Sequence, residues 1–178
     1  MSHCQICRTE YERKYLTQKT CLSVECKTEQ KRQEAIKKTK RAEYRVAKER
    51  LKTRSDYLKE VQIAFNNFIR LRDAAFPCIS CGRFHGGQYH SGHFRSVGAS
   101  PELRFNEYNA HKQCAPCNNH KSGNILEYRI RLVQKIGLKR VEWLEGKHEP
   151  KKYTIDELKA LKIHYRAMIK GLIIGNVD

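Results

Sequence analysis

The chain has 178 residues, with 36 Lys and Arg against 19 Asp and Glu, and so carries a formal charge of +17 at pH 7. That length allows one or two small domains, and that charge favours a polyanionic partner over mere solubility. No stretch approaches the roughly 20 apolar residues of a membrane-spanning helix, and Met1-Ser2-His3-Cys4 lacks the apolar run of a secretory signal, so neither a membrane partner nor secretion is expected.

Residues 1–27 read as a small metal-dependent module. Cys4-x2-Cys7 is followed by Cys21-x4-Cys26, and two such pairs make one tetrahedral zinc site. A disulfide scaffold is the alternative, but it suits small secreted chains. His3 stands beside Cys4 as a substitute ligand. So short a segment needs its metal to fold.

Residues 28–75 lack Gly and Pro and read as a basic helical arm. Between Lys27 and Arg54 there are twelve Lys and Arg and four Glu. Lys37, Lys38, Lys40, Arg41, Arg45 and Lys48 are the candidates for a helix lying along phosphates; a solvated charged face is the alternative. From Tyr57 the apolar content rises through Leu58, Val61, Phe65, Phe68 and Ile69, as an amphipathic helix entering a core would have it. Pro77 ends that helix.

Residues 76–137 form the third segment. Cys78-x2-Cys81 and Cys114-x2-Cys117 make a second zinc quartet, so two structural Zn²⁺ ions are expected. With every Cys in a pair, a cysteine nucleophile is disfavoured. Five histidines, His85, His90, His93, His111 and His120, crowd the same stretch, more than a structural zinc needs. Helical periodicity returns at Ile125 and stops at Gly137. In residues 138–178 a short helix carries Trp143, expected on the core rather than against bases. Thr154-x-x-Glu157 is a capping box opening the last helix. The class is α+β, mostly helical.

The run His90-Ser91-Gly92-His93, Asn109, Cys114-x2-Cys117-Asn118 resembles the HNH (ββα-metal) nucleases. The resemblance implies a zinc-braced ββα-metal finger. In it His93 is the general base, Asn109 orients the finger, and Asn118 offers a carbonyl oxygen to a catalytic Mg²⁺ or Mn²⁺. Phosphodiester hydrolysis has matching needs: a near-neutral imidazole to take the water's proton, and a divalent cation on the phosphate, for which a carbonyl oxygen is a suitable hard ligand.

The motifs Cys-Ile-Ser-Cys, Gly-His-Phe-Arg, Leu-Arg-Phe-Asn-Glu-Tyr-Asn, His-Lys-Gln-Cys and Cys-Asn-Asn-His-Lys-Ser-Gly-Asn further resemble the NinG (Rap) recombination endonucleases of lambdoid phages. That resemblance implies a structure-selective, divalent-metal-dependent endonuclease cutting branched double-stranded DNA, such as Holliday junctions and D-loops, in the cytoplasm of a bacterial host. It implies an Asp where this chain has His90, three residues before His93. His90 is then either a softer ligand favouring Mn²⁺ or Zn²⁺ or a phosphate contact, with His120 in reserve and His111 structural or phosphate-contacting. Arg95, Arg104, Lys112 and Lys121 are further DNA-contact candidates, with ordinary surface charge as the alternative. Symmetric junction cutting needs two sites, so a homodimer is plausible. The competing function is a non-catalytic zinc-ribbon DNA- or RNA-binding module.

Overall fold

The computed structural model describes residues 1–175; the last three residues of the 138–178 segment lie outside the described residues. The chain divides into two units, residues 1–52 and 53–178.

In the first unit, β1 (Ser2–His3) and β2 (Glu10–Tyr11) pair antiparallel. The hairpin turn holds Cys4 and Cys7, and Arg8 takes the left-handed conformation that closes it (φ 65°). Helix α1 (Val24–Arg50) starts at the N-cap Ser23, whose hydroxyl accepts from the Cys26 backbone N–H at 3.3 Å. That cap explains the four-residue spacer: the chain enters its helix between Cys21 and Cys26, and Cys26 sits in the first turn. Beyond Gln30 every residue of α1 is exposed.

The stretch 28–75 is two helices, not one. Leu51 and Lys52 leave α1, and α2 (Arg54–Arg72) begins at a capping box in which Thr53 and Asp56 exchange side-chain and backbone hydrogen bonds. The cap satisfies helix-end N–H groups that a continuous helix would not expose.

In the second unit, α2 buries Tyr57, Val61, Ala64, Phe65, Phe68 and Ile69. They pack with Leu158 and Tyr165 of α5 (Ile155–Ile174), and with Phe105, Ala110 and Tyr153. Strands β3 (Tyr89–His93) and β4 (Ala110–Cys114) pair antiparallel, with Gly92 opposite His111 and His93 opposite Ala110. A π-helical turn, Pro116–His120, follows β4. Asn118 therefore lies in that turn, ahead of α3 (Ile125–Ile136), rather than on the long helix. A second apolar cluster joins Ile79, Phe94 and Leu103 to Tyr128 and Leu132 of α3, and to Val141 and Leu144 of α4 (Leu138–Glu145).

Trp143 does not pack on that core: it is 52% exposed. Val141 and Leu144 take the inward positions of the short α4, and at about 100° per residue Trp143 falls outside their sector. Asp73, which carries no motif in the sequence, is 2% exposed and ties three elements together. Arg72 and Lys135 bond its carboxylate at 2.9–3.0 Å, and it accepts from the Lys112 backbone N–H at 3.1 Å. Burial alone would raise its pKa, but Arg72 and then Lys135 hold it at about 2.

Candidate functional site: a cleft beside a thiol-braced hairpin

Both cysteine quartets converge. The four Sγ atoms of Cys4, Cys7, Cys21 and Cys26 lie within 4.8 Å of one another, as do those of Cys78, Cys81, Cys114 and Cys117. Cys7 and Cys21 are 3.8 Å apart and Cys81 and Cys114 4.0 Å, and all eight thiols are unbonded to each other. A tetrahedron with metal–sulfur bonds of about 2.3 Å has edges of about 3.8 Å, so each quartet fits a Zn²⁺ ion and neither has disulfide spacing. His3 is exposed and outside its quartet, since four thiols already fill the positions. His85 Nε2 lies 3.1 Å from Cys81 Sγ, an outer contact to the second quartet.

The second quartet anchors the ends of the hairpin that carries His93. Cys114 is opposite Tyr89 in the register, and its backbone N–H donates to Cys78 Sγ at 3.3 Å. Between the strands, Asn109 is fully buried and ties the connecting loop. Its Oδ1 accepts from Arg95 N at 2.8 Å, and its Nδ2 donates to Arg95 O at 3.0 Å and Leu103 O at 3.2 Å. The Asn109 side chain thus bonds backbone and not the His93 ring.

The His93 ring packs on Phe65, ring centroids 5.9 Å apart, and its Nε2 lies 2.9 Å from Arg104 O. Since a carbonyl only accepts, Nε2 carries the proton and Nδ1 is left with a free lone pair. Burial pushes the imidazole pKa below its ordinary value, and the Arg104 carbonyl offsets part of that. It is the carbonyl of Arg104 that serves His93; its guanidinium lies in the field of Tyr153 and Arg54.

A cleft of about 570 Å³ opens at this point, lined among others by Ser91, His93, Arg95, Asn118 and Gly123. His90 stands behind it, with Nδ1 3.4 Å from the Asn118 side-chain nitrogen. Among the described residues, His90 Nε2, Ser91 Oγ and Arg95 Nε are buried polar atoms without a partner; Ser91 and Arg95 line the cleft, and His90 does not. Such a concentration is unusual in a folded interior. The Asn118 amide presents its nitrogen, not its oxygen, to His90 Nδ1 and to Asn119 Oδ1, and the two cysteine quartets are the metal-ligating clusters found among the described residues.

Several side chains that support the wall were not legible as functional. Tyr128 is fully buried; its hydroxyl donates to Gly92 O at 3.0 Å and lies 3.2 Å from His111 Nδ1. His111 is accordingly a buried group held by Tyr128. Burial, then Lys135 and Arg72, lower its pKa to about 3. Gln113 donates to Ser80 Oγ and Gly123 O, and any Cβ at position 92 would collide with its Oε1, so Gly92 is required for this close packing.

The basic candidates separate. Lys112 is 6% exposed; its ammonium donates to Ala74 O at 2.7 Å and sits 4.7 Å from the Tyr89 ring centroid, which removes it from any phosphate-facing set. Lys121 and His120 are exposed beside the π-turn, and Arg95 lines the cleft. On α1, Lys37, Lys38, Arg41 and Arg45 line one groove with Glu34. At about 100° per residue, Lys40 and Lys48 fall with them in the same half of the helix. No helix among the described residues is long and apolar enough to cross a membrane.

The family model described as "Bacteriophage Lambda NinG protein" matches residues 1–173. The chain is similar to "Protein ninG" of Escherichia phage lambda, 47% identical over 128 residues, and to its namesake of Salmonella phage P22, 45% identical over 128 residues. Each match covers 72% of this chain and 63% of the relative. "Protein ninG" of Escherichia phage 933W is 44% identical over 128 residues, or 72% of this chain and 64% of the relative. The chain thus spans less than two thirds of the length of these curated relatives. No solved structure matches it. With a family match that runs through both cysteine quartets, the hairpin and the helices after it, the chain belongs to the NinG family of bacteriophage proteins.

Proposed function

We propose that the chain is a divalent-metal-dependent DNA endonuclease of the HNH kind, acting on branched double-stranded DNA. The observation that carries the reading is the cleft whose walls include both the His93 ring and Asn118. The order of two strands, turn and helix around it agrees with the resemblance. The preference for branched DNA rests on the resemblance alone.

His93 is the base. Its Nε2–H is held by Arg104 O, so Nδ1 takes the proton of the attacking water as the water oxygen bonds to phosphorus and the bond to the 3′-oxygen breaks. A lowered pKa keeps the ring neutral at pH 7. Asn118 and His90 would hold Mg²⁺ or Mn²⁺, which supplies positive charge to the phosphate oxygens. Arg95, with an unpartnered Nε on the cleft wall, positions the phosphate. The one-sided charge of α1 lies along a DNA limb, with the exposed Lys121 beside the cleft. Symmetric cutting would call for a homodimer.

The test is a labelled synthetic four-way junction with the zinc-loaded protein, in Mn²⁺, in Mg²⁺ and with neither. Nicking is expected only with the ions, and His93→Ala should lower it by about 10²–10⁴-fold while junction binding persists. Binding with no strand scission in any divalent ion would support a zinc-ribbon binding module instead.

A further inference from the structure

Trp143 of α4 and Tyr108, in the connection before β4, are two exposed aromatics that the cleft chemistry does not use. Trp143 is 52% exposed and Tyr108 45%. The Trp143 ring meets His148 edge-to-face, centroids 4.3 Å apart at 61°. A T-shaped contact covers at most one face of a ring, so the indole is braced and keeps a face open. His148 Nε2 is buried without a partner. One turn earlier on the same side of α4, the Arg140 guanidinium lies 4.7 Å over the Tyr108 ring. Tyr108 and Arg140 also rim a cavity of about 640 Å³ whose walls include Glu107 and the Asp73-bound Arg72 and Lys135.

The chemistry around the two aromatics is cationic. Residues 138–153 hold five Lys and Arg (Lys139, Arg140, Lys147, Lys151, Lys152) against Glu142, Glu145 and Glu149. Glu145 pairs with Arg129 through two bonds of 2.7 and 3.0 Å and Lys151 with Glu157 at 3.8 Å, which leaves Lys139, Arg140, Lys147 and Lys152 against Glu142 and Glu149. An open indole face beside an aromatic-backed guanidinium, in a positive field, matches a nucleobase joined to phosphates. A duplex hides the faces of its bases inside the stack; a single strand offers them.

We infer that Trp143, braced by His148 and flanked by Arg140, is a stacking platform for an unpaired base of single-stranded DNA, distinct from the His93 cleft. The platform deepens the proposed function and rests on its DNA-binding part: a branched substrate exposes such bases at its branch point.

Trp143 is the sole tryptophan, so its emission reports the stacking directly. The zinc-loaded full chain, without Mg²⁺ or Mn²⁺, is titrated with an unlabelled oligo-dT and with a duplex of equal length, and binding is followed in parallel by anisotropy of labelled DNA. Stacking should quench the emission by about half with oligo-dT and little with duplex. Trp143→Ala should weaken oligo-dT binding about tenfold and leave duplex affinity within about twofold, and Trp143→Phe should recover most of the loss. Oligo-dT that binds with unchanged emission, or as tightly to Trp143→Ala as to the parent, overturns the platform and leaves the nuclease reading standing. Quenching in a protein that nicks no junction supports the platform and overturns the nuclease reading. Oligo-dT that does not bind at all overturns the platform.

Discussion

Asn109 and His93 bond two consecutive carbonyls of one loop. The Asn109 amide donates to Leu103 O at 3.2 Å, and the next carbonyl along the chain, Arg104 O, receives the His93 Nε2–H at 2.9 Å. The imidazole is aimed by a loop, and the loop is closed by one buried carboxamide. Asn109→Asp keeps the shape but turns the Nδ2 donor into an oxygen facing the Arg95 and Leu103 carbonyls. The expected cost is about 2–4 kcal/mol of stability, read from denaturant unfolding. Nicking should fall even at temperatures where the variant is fully folded; full activity in a folded Asn109→Asp protein would disprove the aiming role.

A lowered His93 pKa gives the cleft a defined pH dependence. If His93 is the base of the proposed nuclease it must be neutral, so single-turnover nicking should rise tenfold per pH unit in acid and level off below pH 6.5, the ordinary imidazole value. Phe65→Ala opens the ring to water and should move the break upward. A break above pH 7 in the parent protein would contradict the buried, neutral base.

Acid stability should show two components. Asp73 has a folded pKa of about 2 against an ordinary 3.8. A depressed carboxyl pKa stabilises the fold above pH 3.8, and that stability, about 2 kcal/mol, is lost as pH falls from 3.8 through 2. His111 has a folded pKa of about 3 against 6.5. Its stabilisation is complete above pH 6.5 and declines from there by up to about 1.4 kcal/mol per pH unit. Urea midpoints at equal zinc content should therefore start to fall near pH 6.5, and His111→Gln should flatten that first decline.

Zinc content is the direct check on the two quartets. Elemental analysis should find two zinc ions per chain, and Cys7→Ser and Cys81→Ser should each remove one. The chelated protein should lose the fold of residues 1–27, which bury little besides Cys4, Gln18, Thr20 and Cys26. The helical core around Phe65 and Leu158 should persist, as followed by far-ultraviolet circular dichroism. One zinc per parent chain would rule out one quartet as a site.

The charged face of α1 is tested by salt. Replacing Lys37, Lys38, Arg41 and Arg45 with Gln should weaken DNA binding and flatten the plot of log affinity against log salt by about 0.9 for each phosphate no longer neutralised. Exposed residues on a helix surface tolerate such changes, so folding should be unaffected. An unchanged slope would mean a merely solvated arm.

Local sequence by itself determined the features that depend on short spacings. Two cysteines separated by two residues share a turn, and a Thr-x-x-Glu caps a helix, so three of the four cysteine pairs and the start of α5 could be read directly. The same logic holds at Thr53 and Asp56, where an acid one methylene shorter than Glu makes the same box and marks the division of the arm. The order His93, Asn109, Asn118 was legible as a motif, but tertiary structure alone decided what its members touch. The partner of Asn109 is backbone across the loop and that of His93 is a carbonyl eleven residues away. Lys112 is taken inward by Ala74 and Tyr89, and Trp143 is turned outward because Val141 and Leu144 fill the inner face of a two-turn helix. Such outcomes follow from which surfaces meet when α2, the hairpin and α4 pack, and a residue's neighbours along the chain carry no record of that meeting.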